Sequence, residues 1–326
     1  MSGVPESLAR RRAMLRTAMG PAIAAAFTDP EIIEIMVNPD GALRFDRLGE
    51  GCSDSGVRLE PAQIERIIRL VASHARHEVH RDSPLVSAEL PPHGEGLAGE
   101  RFEGLLPPVS TAPCFSIRKP AARIYTLADY VADGLMASQL AEQLRNAVFD
   151  RQNILIAGGT SSGKTTLANA LLAEMARSSD RIIFIEDTRE LQCAAADSVA
   201  LRTRAGHVSM TDLVRSTLRL RPDRIIVGEV RGGEALDMLK AWNTGHPGGI
   251  ATVHANSAKS ALYRLEQLVQ ESAFAVPKCL IAEAIDLVVF ISGRGLARRV
   301  ETILGVVGLD LCGDYQTYDL SLHPER

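Results

Sequence analysis

Asn153-Ile154-Leu155-Ile156-Ala157-Gly158-Gly159-Thr160-Ser161-Ser162-Gly163-Lys164-Thr165-Thr166 is the stretch on which the fold turns. Asn153 to Ala157 is a short apolar run, as in a strand buried on both faces. Gly158 to Gly163 is a loop, and Thr165 to Ala176 reads as a helix. Strand, glycine-rich loop and helix in that order make one crossover unit of an α/β sheet.

The pattern continues toward the C-terminus. Ala141 to Phe149 is helical, and Arg181–Ile185, Arg224–Val227, Gly249–Val253 and Leu287–Ile291 are four more apolar runs. Strands this uniformly apolar predict a predominantly parallel sheet with helices on both faces. Upstream the pattern is different. Glu34–Val37 and Leu43–Asp46 flank the turn sequence Asn38-Pro39-Asp40-Gly41, which predicts a hairpin. Ile64, Ile67, Ile68 and Val71 fall at helical spacing after Pro61, which suits a first turn. Arg101–Leu106 and Cys114–Arg118 read as short strands around Pro107-Pro108. The chain therefore divides into a small α/β domain over 1–120, a linker over 121–134, and a P-loop domain over 135–326.

The bulk properties exclude several classes. The 326 residues are 46% hydrophobic and 23% charged, an ordinary globular composition. The net charge of −4 carries no strong direct signal for nucleic acid. Cys52, Cys114, Cys193, Cys279 and Cys312 form no C-x-x-C pair, which fits reduced thiols in a cytosolic protein and argues against cysteine-bound zinc. No apolar run reaches the roughly 20 residues of a spanning helix. Arg16 and Gly20-Pro21 interrupt the apolar stretch behind Arg10-Arg11-Arg12, against a signal peptide. That basic helix is a surface helix or lies on a membrane surface.

Gly158-x4-Gly163-Lys164-Thr165 is a complete Walker A motif. Its glycines let backbone N–H groups turn inward onto phosphates, and the following helix adds its positive end. Lys164 supplies a point charge for the β- and γ-phosphates, and the Thr165 hydroxyl suits Mg²⁺. Gly158, Gly159, Thr160, Ser161, Ser162, Gly163, Lys164, Thr165 and Thr166 are thus the expected nucleotide cradle. A chance glycine-rich turn is a poor alternative, because the chain has only five lysines and the strand–helix context is the required one.

Three further elements fall at strand ends. Ile185-Glu186-Asp187-Thr188-Arg189-Glu190 closes the second apolar run with three carboxylates, at the edge where α/β sheets bind ligands. They are candidates for a base and for magnesium, Glu186 among the metal ligands; a solvated turn is the plain alternative. Val227-Gly228-Glu229 has the layout of a Walker B strand, with Glu229 where Asp is usual. His246 and His254 bracket the fourth run. His254 at its carboxyl end could reach a γ-phosphate, while His246 in its Gly/Pro turn is ambiguous. Arginines cluster at 202, 204, 215, 219, 221 and 231, as phosphate clamps or as plain surface residues.

The order Walker A, Ile-Glu-Asp-x-x-Glu, Val-Gly-Glu-x-Arg, Gly-x-x-x-Thr-x-His-Ala resembles the secretion-ATPase superfamily over residues 140–290. That superfamily comprises the motors of type II and type IV secretion and of type IV pili. Ile35–Gly41, Gly99-Glu100-Arg101 with Leu106-Pro107-Pro108, and Phe115–Pro120 are similar to its VirB11 type, and Leu213–Asp223 to the conjugal-transfer branch. The resemblance implies a PAS-like first domain, a RecA-like second domain, and a homohexamer with ATP bound between domains. It implies Glu190 as the water-activating base, Glu229 as the Walker B acid, His254 as a sensor, and Arg101 and Arg118 as nucleotide-reaching arginines. The partners implied are inner-membrane secretion-channel components and a coupling protein. The location is cytoplasmic, with peripheral contact to the inner membrane left open. A type IV pilus or type II secretion motor, or a RecA-like nucleic-acid translocase, are the competing readings. The type II assembly motors usually carry a cysteine-bound zinc module, for which no cysteine pair exists here.

Overall fold

The computed structural model describes residues 6–92, 99–121, 123–204 and 206–321. They form two compact units, Met1–Ala122 and Arg123–Arg326.

The first unit contains α1 (Glu6–Thr28), β1 (Ile32–Val37), β2 (Ala42–Arg47), β3 (Gly51–Arg58), α2 (Pro61–Ala75), β4 (Leu85–Glu89), β5 (Arg101–Leu105) and β6 (Cys114–Arg118). The strands pair antiparallel in the order β3-β2-β1-β6-β5-β4, the PAS-like layout. The β1–β2 hairpin turns where Asn38-Pro39-Asp40-Gly41 predicts it. Ile64, Ile67, Ile68 and Val71 of α2 are buried against Ile35, Phe102 and Ile117 from alternate positions of the sheet. α1 is broken at Gly20-Pro21, where Gly20 takes φ 81. Leu15, Met19 and Ile23 of α1 enter the same core, so this helix is a packed element of the unit. The Lys119 ammonium donates to the carbonyls of Ala26 and Asp29 at 3.0 and 2.5 Å, a cation at the negative end of α1.

The second unit contains α3 (Leu127–Ala132), α4 (Ser138–Phe149), β7 (Ile154–Gly158), α5 (Lys164–Met175), β8 (Ile182–Glu186), β9 (Ser198–Arg202), α6 (Met210–Thr217) and β10 (Arg224–Val227). It continues with α7 (Glu234–Asn243), β11 (Ile250–His254), α8 (Ala258–Gln270), α9 (Lys278–Ala284), β12 (Leu287–Ser292), a 3₁₀ turn (Gly295–Ala297), β13 (Arg299–Leu309) and β14 (Tyr315–Asp319). The strand order is β14-β13-β12-β7-β11-β10-β8-β9. The six strands from β12 to β9 are parallel, and β13 and β14 extend the sheet antiparallel. The five apolar runs become β7, β8, β10, β11 and β12, and the strand before the glycine loop lies inside the sheet. β9 and β14 at the edges, and β13 beside β14, are only about half apolar and carry no continuous apolar run in the sequence. Two separate cores, one on each face of the sheet, account for strands buried on both sides.

The linker expected over 121–134 is not a free segment. Thr126 and Asp129 form a reciprocal capping box at the start of α3, and Leu127 and Tyr130 are wholly buried in the second unit's core. The unit therefore begins at Arg123.

At the amino edge of this sheet, buried Arg224 donates to Asp180 at 2.6 Å and to the Val148 carbonyl at 2.7 Å, and Arg151 also pairs with Asp180. Burial pushes the Asp180 carboxyl up, but the two guanidiniums outweigh it and hold it below its ordinary value. Asp180→Asn strands a buried cation, so it is expected to lower unfolding free energy by about 3 kcal/mol in chemical denaturation. A loss below about 1 kcal/mol would show that the network contributes no more than a surface pair.

Candidate active site

The carboxyl ends of β7, β8, β10 and β11 form one edge of the second sheet. Each contributes one of the sequence elements. β7 runs into the glycine loop, where Ser161 adopts φ 61 and Gly163 φ 98, turns that the helix entry requires. A Cβ on Gly158 would meet the Ile291 carbonyl and the Ser162 hydroxyl at 2.5 Å each, so only glycine fits where β12 approaches the loop. Gly163 caps α5 and Lys164 opens it, followed by Thr165 and Thr166 in the first turn. Ser162 is buried, and Gly159, Thr160 and Ser161 are exposed.

Lys164 is buried. Its ammonium donates to the carbonyls of Gly158 and Gly159 at 3.2 and 3.0 Å and faces His254 Nδ1 at 3.2 Å. An ammonium only donates, so Nδ1 accepts and the imidazole proton sits on Nε2. Burial and the neighbouring Lys164 both push the His254 imidazole below its ordinary value, keeping it neutral. Its Nε2 lies 2.8 Å from Glu229 Oε1, inside ion-pair range. Oε1 is buried and forms no hydrogen bond among the described residues. The other Glu229 oxygen accepts from Arg231 at 2.5 Å, and Arg231 reaches Asp187 at 3.7 Å. Lys164, His254, Glu229, Arg231 and Asp187 thus form one line of alternating charge and dipole along the sheet edge.

A second branch holds the acids after β8. The Thr165 hydroxyl donates to Glu190 Oε2 at 3.2 Å. Asn169 of α5 clamps the loop that carries Glu190: its amide donates to the Glu190 carbonyl at 3.0 Å and accepts from Gln192 N–H at 2.8 Å. Glu186, expected among the magnesium ligands, is buried instead, with Oε1 accepting from the N–H groups of Glu190 and Leu191 at 2.8 and 2.6 Å. Burial raises its carboxyl to about 7, although those two bonds pull downward. This geometry makes Glu186 a brace for the Glu190 loop. Strand ends are tied as well, with Thr252 donating to the Gly228 carbonyl at 2.7 Å.

His246 lies at the other end of β11, where its ring contacts the Pro222 carbonyl at 3.0 Å. It takes no part in this edge. Of the arginine cluster, Arg231 alone joins the line described, while Arg215 pairs with Asp237 at 3.0 Å on the surface. Arg101 and Arg118 belong to the first unit, opposite each other on β5 and β6. Two like charges facing across a ladder are unfavourable, and no ion pair relieves either among the described residues. Sequence reasoning passed over Asn169, although a lone amide within Leu167-Ala168-Asn169-Ala170-Leu171-Leu172 was a visible signal.

Hard oxygens from Thr165 and Glu229, with Glu229 Oε1 buried and lacking a hydrogen bond, suit Mg²⁺ chemically. Among the described residues no group of three His, Cys, Asp or Glu could hold a metal by itself. An ion completed by substrate phosphates and water fits such a pair. No helix of the described residues is long and apolar enough to cross a membrane.

Residues 98–299 match the family described as type II/IV secretion system protein. The chain is 49% identical over 294 residues to the probable conjugal transfer protein TrbB of Sinorhizobium fredii, covering 90% of this chain and 88% of that one. It is 48% identical over 296 residues to the conjugal transfer protein TrbB of Rhizobium radiobacter, covering 90% of each. Among solved structures, the pilus retraction motor PilT with bound ADP shares the fold, with a TM-score of 0.61 at 20% identity over 91% of this chain and 80% of that one.

Proposed function

The chain belongs to the type II/IV secretion system protein family, and from that premise we propose that its second unit hydrolyses ATP to drive conjugal transfer through a type IV secretion system. One observation carries the reading: the P-loop lysine, the Walker B acid, the His-box histidine and Glu190 meet at one sheet edge. In this reading Lys164 binds the β- and γ-phosphates, and the backbone of 158–163 cradles them. Glu190 accepts a proton from the attacking water, and Thr165 positions its carboxylate. Thr165 and Glu229 would hold Mg²⁺, which when bound offsets phosphate charge. Neutral His254 lies between Lys164 and Glu229 and registers whether the lysine has moved onto phosphate. Glu186 braces the Glu190 loop.

Arg101 and Arg118 add charge to the nucleotide in this reading, as the family resemblance implies. The working form is a homohexamer in the cytoplasm, in peripheral contact with inner-membrane channel components and a coupling protein. The test is phosphate release from ATP by the purified full chain, with particle mass measured alongside. Turnover is expected with Mg²⁺ and none after chelation, from a particle of hexamer mass in the presence of ATP. Turnover indifferent to chelation would overturn the metal role. Turnover that appears only with DNA would favour a nucleic-acid translocase.

A further inference from the structure

Arg298 follows the 3₁₀ turn after β12 and returns the chain to the glycine loop. A Cβ built on Gly163 would meet its Nε at 2.7 Å and its Cδ and Cζ at 2.9 Å. The guanidinium stem therefore lies directly on the residue that caps α5. This is the positive end of a helix, one residue before Lys164, where a further cation is disfavoured. No carboxylate relieves it: Arg298 forms no ion pair among the described residues. Its Nε is buried and has no hydrogen-bond partner among the described residues.

A second unpartnered group lies close by. The Tyr130 hydroxyl is wholly buried without a hydrogen bond among the described residues, and it lies in the field of the Arg298 charge. Buried donors left unmatched are rare and call for an explanation beyond stability. Two features of Arg298 are unfavourable by themselves: charge against a helix dipole and an unmatched Nε. An anion held by the loop relieves both, because a guanidinium stays charged and its planar donors match phosphate oxygens.

We propose that Arg298 is a nucleotide-binding residue of this ATPase, holding the phosphate chain from the Gly163 side. The proposal rests on the reading of the P-loop as the ATP site.

The experiment is equilibrium displacement of a fluorescent ADP analogue from the nucleotide-free full chain, with ADP and inorganic pyrophosphate as competitors. Arg298→Gln is expected to weaken both competitors about tenfold, the loss of one charge-assisted contact. Arg298→Lys keeps the charge but not the fork, and is expected to weaken both about threefold. This second variant decides the matter if the glutamine variant does not fold. ADP binding within about twofold of wild type in the folded variants would overturn the proposal. So would a loss for ADP with none for pyrophosphate, which would move the contact to base or ribose. Lys164→Ala run in parallel separates the two levels: if it binds ADP like wild type, the P-loop reading itself fails. If it loses ADP while Arg298→Gln does not, only the role of Arg298 fails.

Discussion

Lys164→Ala is expected to reduce phosphate release from ATP by at least about a thousandfold, a loss on the order of 4 kcal/mol of transition-state stabilisation. The magnitude follows from where the ammonium sits. It is buried at the floor of the loop, within hydrogen-bond range of two loop carbonyls and His254, so no water can replace its charge at the same place. The two carbonyls and the imidazole are neutral groups that hold the cation at the loop. The fold should survive the change, because β7 and α5 are anchored by apolar packing of Ile154, Ile156, Leu167 and Leu171 and not by this side chain. The check is turnover beside a thermal melt. A folded variant with turnover within about tenfold of wild type would refute the site as drawn.

Glu190→Gln has the second-largest expected effect and a different signature. Glutamine keeps an acceptor for the Thr165 hydroxyl and leaves the Asn169 clamp on the backbone untouched. What it removes is the ability to take a proton from water. Turnover is expected to fall about 10²- to 10⁴-fold while ATP and ADP affinities stay near wild type. Loss of binding together with turnover would mean that Glu190 is a structural support of the loop. Normal turnover would pass the role of base to another acid, with Asp187 the exposed candidate. Glu186 is not that alternative, since its buried carboxyl is committed to the backbone of the Glu190 turn.

These two variants also mark how far local sequence carried the reading. The glycine loop around Lys164 was legible because strand, loop and helix are consecutive in the chain, and their geometry depends on the backbone within a few residues. The ends of the five apolar strands were legible for the same reason. Glu186 and Glu190 show the limit. Both are acids after one strand, four residues apart, and nothing in their spacing says that one turns inward to brace the other. That distinction comes from the fold of the Glu190 turn, which Asn169 of α5 clamps and whose N–H groups face Glu186. The segment at 127–132 shows another limit: its six-residue helix is too short for periodicity to reveal, and burial of Leu127 and Tyr130 in a core made by distant residues is what orders it.

By itself the sequence determined an α/β chain with a P-loop, the order of the four site elements, and the family. Those properties reside in runs of neighbouring residues, where period, glycine content and strand–helix alternation act locally. Only the tertiary structure decided which acid faces Thr165, that His254 joins Lys164 to Glu229 while His246 stays at the opposite edge, and that Arg298 comes back onto Gly163. Each of those is a contact between residues far apart in the chain, and it exists only once β7, β8, β10, β11 and β12 align in one sheet.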